Sequence, residues 1–95
     1  MITIFKYTLS KFATFTKVKI PVNAEILSAA AQGTNLCVWA KVDTEAETEE
    51  RIFEAFGTGH EIPFDMGIDY TFIDTAYMSD GLVFHVFERQ VRSDH

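Results

Sequence analysis

The sequence predicts an all-β domain, a small antiparallel sandwich or barrel of about seven short strands. Three observations carry this. β-Branched and aromatic residues cluster in short runs, several runs alternate apolar and polar side chains, and Gly, Asp, Asn or Pro separates one run from the next. Runs of that length cannot bury both faces alone, so they have to stack as layers.

Taken in order, residues 2–9, "ITIFKYTL", form the first strand, with apolar groups on both faces. "FTKVKIPV" follows with Thr16, Val18 and Ile20 on one face and Phe15, Lys17 and Lys19 on the other. Pro21 lacks a backbone donor, which ends that strand or puts it at an edge. "EILSAAAQ" and "LCVWAKVD" are joined by Gly33-Thr34-Asn35 and read as a hairpin. The small side chains of Ala29, Ala30 and Ala31 leave room for a bulky neighbour, for which Trp39 is the candidate. Leu36, Val38, Ala40 and Val42 share one face of the second strand of the pair.

Residues 45–56 carry two conflicting signals. Thr44 with Glu47 resembles a helix capping box, and Gly57 could cap a helix C-terminus. Yet Ile52, Phe53 and Phe56 make only a narrow helical stripe, which favours a strand over Arg51 to Phe56. "HEIPFDMGIDY" has turn chemistry. "TFIDTAYM" and "LVFHVFER" then close the domain as a hairpin through Ser79-Asp80-Gly81. The closing strand is apolar on both faces, the mark of a strand with neighbours on either side. Residues 90–95 are expected to form a flexible tail. The whole chain, 1–95, reads as one β domain.

Composition narrows the function. Nine Phe, three Tyr and one Trp in 95 residues supply a core without disulfides, and a single cysteine, Cys37, cannot form an internal one. No apolar run reaches the roughly 18 residues of a membrane helix, and "MITIFKYTLSK" lacks a leader pattern. No membrane partner and a cytoplasmic location are expected. A net charge of −6 disfavours general nucleic-acid binding. Lys6, Lys17, Lys19 and Lys41 would form a basic strip only if their strands adjoined. The acids from Asp43 to Glu54 read as a solvated loop and strand edge.

"FGTGHEIP", Phe56 to Pro63, is the least ordinary stretch. A phosphate loop needs a helix to begin at the glycines and a lysine to follow, and both are missing here. Gly57 and Gly59 instead let the chain turn through positive φ as it leaves a strand, presenting His60 at a loop mouth. His85 sits mid-strand between Phe84 and Val86, where a histidine is expected to pack with one nitrogen satisfied. His60, His85 and His95 lack metal-ligand spacing, so no metal and no cofactor are expected. Cys37 and the serines lack a nucleophile signature, which argues against an enzyme.

"AEILSAAAQGTNLCVWAKVD", "GTGHEIP" and "GLVFHVFE" resemble, over about Ile2 to Glu88, a family of small uncharacterised phage and prophage proteins. The resemblance rests on Trp39, Gly57, Thr58, Gly59, His60, Pro63 and His85. The departures are a longer acidic segment before Arg51 and the tail after Glu88. The resemblance implies a viral or prophage origin and a strand at Arg51 to Phe56, and it carries no activity over to this chain.

The first functional expectation is a small non-enzymatic phage protein. It would act in the host cytoplasm, binding and inhibiting a host defence or housekeeping protein through the His60 loop. Self-association to cover strand edges is expected beside it. An alternative is a sponge for a small nucleotide signal, with His60, Trp39, Tyr70 and Arg51 stacking on bases and holding phosphates. A small hydrolase is the third.

Overall fold

Period-two alternation becomes two stacked sheets in the computed structural model of the chain, which describes residues 1–11, 15–63 and 66–91. The seven strands are β1 (Ile2–Leu9), β2 (Thr16–Pro21), β3 (Glu25–Gln32), β4 (Asn35–Asp43), β5 (Thr48–Gly57), β6 (Ile68–Tyr77) and β7 (Val83–Val91). All neighbours pair antiparallel, in the orders β1-β4-β3 and β2-β5-β7-β6. The molecule is 18 Å thick against 39 Å in the other two directions, which fits two layers about 10 Å apart.

Alternation sets the core. Val18 and Ile20 of β2 are buried while Lys17 and Lys19 face out. Leu36, Val38, Ala40 and Val42 of β4 are all buried, the first two in a cluster with Phe53 and Val86 of the other sheet and the last two in a cluster with Ile20 and Ala24. Among the described residues Phe53 is the largest fully buried side chain, and its burial contributes about 1.5–3 kcal/mol. β7 has neighbours on both sides, as its two apolar faces predict. The layers meet along β3 and β6, where the Ala29 N–H donates to Asp74 Oδ2 at 3.3 Å. Each of those two strands carries a bulge there, between Ile26 and Ser28 and between Phe72 and Asp74.

Several boundaries differ from expectation. Residues 48–57 are strand throughout, because β5 is held on both sides, by β2 and by β7. Two ladders outweigh a local capping signal. Ile68, Asp69 and Tyr70, expected in a turn, open β6 by pairing with Val91, Gln90 and Arg89. The same pairing puts Gln90 and Val91 in β7 rather than in a tail; residues 92–95, His95 among them, lie outside the described residues. β5 and β6 flank β7 and run in the same direction, so Gly57 at the end of β5 and Ile68 at the start of β6 lie at opposite ends of the sheet.

A histidine-bearing groove at one end of the sandwich

The strand directions gather the β3–β4 hairpin, the β6–β7 hairpin, the residues after β1 and the turn after β5 at one end of the molecule. At that end the glycine-rich stretch resolves into a single tight turn. The His60 N–H donates to the Gly57 carbonyl at 3.0 Å, and Gly59, the third residue, has φ +87°, as a type II turn requires. Gly57 does something else. It has no positive φ, but a Cβ there would fall 2.8 Å from His60 Cε1 and 2.9 Å from Nδ1. Only a residue without a side chain lets the imidazole lie so close to the strand end. Both glycines were expected to turn through positive φ; one does, and the other accommodates the ring.

His85 supports the turn from behind. Its Nε2 is 2.8 Å from Thr58 Oγ1 and its Nδ1 is 3.1 Å from Thr75 Oγ1. Each ring nitrogen has one threonine hydroxyl as its partner, and a hydroxyl can donate or accept as the tautomer requires. Both nitrogens are thus satisfied, rather than one. The ring ties β7 to β6 and to the turn.

In front of the turn lies a groove of about 610 Å³. Gly57, Thr58 and His60 form one wall, the β6–β7 hairpin from Asp80 to Phe84 the other, and Lys11 closes the rim. Leu82 is half exposed at 56%, and Asp80 is held by the Leu82 N–H on its Oδ1 at 3.1 Å. Lys11 Nζ donates to the Thr34 carbonyl, linking the rim to the β3–β4 hairpin. An apolar floor with a few polar groups at its margin suits a small apolar projection. Leu82, Phe84 and Lys11 were not singled out from sequence. Asp80-Gly81 marks a hairpin, but nothing local says that this hairpin faces the Gly57–His60 turn.

The other candidate residues do not join this site. Trp39 lies on β4, on the outward face shared with Lys6 and Ser28. Of the three alanines expected beside it, Ala30 shares its face, while Ala29 and Ala31 turn inward opposite Val38 and Leu36. Tyr70 lies on the outward face of the four-stranded sheet, edge-on to Phe56 and Phe87 at 5.7 and 6.3 Å. Arg51 faces the core near the opposite end. Its guanidinium holds Glu88 through two bonds of 2.6 Å and donates a third, also 2.6 Å, to the Ala24 carbonyl. Three of the five guanidinium N–H groups are thus committed within the protein.

The acidic segment also contains an exception. Glu54 is only 3% exposed, although it lies on the outward face beneath Arg89 and among aromatic rings. Arg89 Nη1 is 3.6 Å from its Oε1, which has no hydrogen bond. Burial pushes the Glu54 carboxyl above the ordinary range, against the opposing pull of Arg89 and a hydrogen bond from Tyr70. The four lysines do not adjoin. Lys6 and Lys41 belong to one sheet and Lys17 and Lys19 to the other, and Lys17 and Lys41 face Glu50 and Glu25. Among the described residues no three His, Cys, Asp or Glu side chains converge as a metal site.

The chain belongs to a family described as a domain of unknown function, DUF7352, whose model matches residues 1–95. No curated protein and no solved structure matches it.

Proposed function

We propose that this member of the family is a phage-encoded, non-enzymatic binding protein. It acts in the host cytoplasm by taking an apolar projection of a host defence or housekeeping protein into the groove beside His60. The observation that carries this is the construction of the groove. A turn shaped by Gly59, an imidazole seated on Gly57 and the exposed Leu82 side chain surround one apolar recess. His85, the second histidine of that end, has both nitrogens committed to threonines, which supports a positioning role over proton transfer. The nucleotide alternative draws less support, since His60, Trp39, Tyr70 and Arg51 lie on separate surfaces.

Immobilised protein incubated with host lysate is expected to retain one dominant partner. Leu82→Asp should cut retention at least about tenfold, because a charge replaces an apolar contact at the exposed edge of the groove wall. His60→Ala should reduce it less. Lys19→Ala, on the remote edge of the sheet, should leave it unchanged. Equal retention by wild type and Leu82→Asp would show that the partner binds elsewhere.

A further inference from the structure

The four sheet edges are treated unequally. β2 is six residues long, carries outward Lys17 and Lys19 and ends in Pro21. β3 and β6 are both bulged and pack against each other. Each device blocks pairing with another chain. Of these devices β1 has only an outward lysine, Lys6. Its eight residues pair with β4 without a register shift and contain no proline or acid, and among the described residues no strand pairs with its other side.

The side chains of β1 repeat the message. Outward Ile2 and Ile4 are 62% and 57% exposed, and inward Phe5 is 41% exposed where the second sheet gives β1 little cover. A strand apolar on both faces is ordinarily flanked by two others. β7 obeys that rule within the chain, and β1 does not.

We propose that β1 pairs with β1 of a second copy, antiparallel about a two-fold axis, joining two three-stranded sheets into one of six. Residues opposite each other must share a face, so only registers centred on a residue are allowed. Centring on Lys6 sets two ammonium groups directly opposite each other, which is unfavourable. Centring on Phe5 stacks the two Phe5 rings and sets Thr3 opposite Tyr7 and Ile2 opposite Thr8. It also sets Ile4 opposite Lys6, so that the lysine stem covers the isoleucine. The absence of carboxylates from β1 lets two chains of net charge −6 approach there without acids in contact. Since the remaining edges are blocked, assembly stops at two. A second copy is therefore the occupant that fits this edge.

Light scattering coupled to size exclusion, over a concentration series, tests the pairing. Wild type is expected to move toward twice the 10.8 kDa chain mass as concentration rises. Ile4→Lys puts like charges opposite each other twice per dimer and should weaken dimerisation at least about tenfold. Adding Lys6→Glu to Ile4→Lys should restore it, since opposite charges then face across the axis. Thermal melts of all three proteins control for folding, and Ile4, already exposed, should move them little. A wild type that stays monomeric throughout, or a dimer indifferent to Ile4→Lys, overturns the proposal. Failure of the double variant to recover overturns the axis at Phe5.

Discussion

The two ends of the sandwich are built differently. Away from the histidines, the connections bond to one another. The Val22 N–H donates to the Glu47 carbonyl at 2.7 Å, and the Thr44 N–H to the Met1 carbonyl at 2.9 Å. Arg51 spans Glu88 of one sheet and Ala24 at the start of the other. At the histidine end the backbone bonds stay mostly within each loop: His60 to Gly57, Gly81 to Met78, Met78 to Leu82. Loops that satisfy themselves need not close on their neighbours, and the space left between them is the groove. The difference shows how one small fold can keep a recess open while remaining anchored.

The largest effect should come from breaking the anchored end. Arg51→Ala leaves Glu88 buried without its partner and frees the Ala24 carbonyl, and loss of one member of a buried pair typically costs about 3–5 kcal/mol. Urea melts measure this. A loss below about 1 kcal/mol would mean that the fork is not what ties this end.

Next is Gly59→Ala, which forces a side chain into left-handed backbone and should cost roughly 1–2 kcal/mol while distorting the turn that presents His60. Gly57→Ala should cost less, since the obstruction is an exposed imidazole that can swing away. It should nevertheless displace His60, visible as a shift of its ring resonances. An unmoved His60 spectrum in Gly57→Ala would contradict the seating described above.

Glu54 gives a pH dependence of definite sign. Its folded pKa is raised, so the folded state holds the proton more tightly than the unfolded chain does. The favourable contribution is fully present below the unfolded value, near the 4.5 of an ordinary glutamate, and is lost as pH rises through the folded value. Glu54→Gln should therefore gain stability relative to wild type as pH increases across that window. Parallel melts at several pH values check this, and a difference independent of pH would place the carboxyl in water.

The smallest effect on stability, within about 0.5 kcal/mol, is expected for Leu82→Asp at the half-exposed rim. Its effect on partner retention should be large, which separates binding from folding.

What could be read from the sequence follows the range of each interaction. β2 and β4 were legible because alternation is local, and the Gly57–His60 turn because glycine chemistry is local. The strand at Thr48–Gly57 was legible only in part, since a local cap signal competes with ladders that depend on distant strands. Sheet membership was beyond local reach. Lys6 and Lys17 look alike in sequence yet belong to different layers, so a basic strip could be imagined and is absent. Glu54 was hidden inside an acidic run; its burial depends on Arg89 and Tyr70, brought close by β7 and β6. Arg51 looked like a phosphate ligand because nothing nearby in sequence announces Glu88.

Backbone amide shifts of labelled protein, titrated with the partner recovered from lysate, test the central claim most directly. The largest changes are expected at Gly57–His60 and Asp80–Phe84, with little change around Arg51 and Glu88. Changes concentrated along Ile2–Leu9, or on the outward face near Phe72 and Phe87, with the groove unmoved, would contradict it.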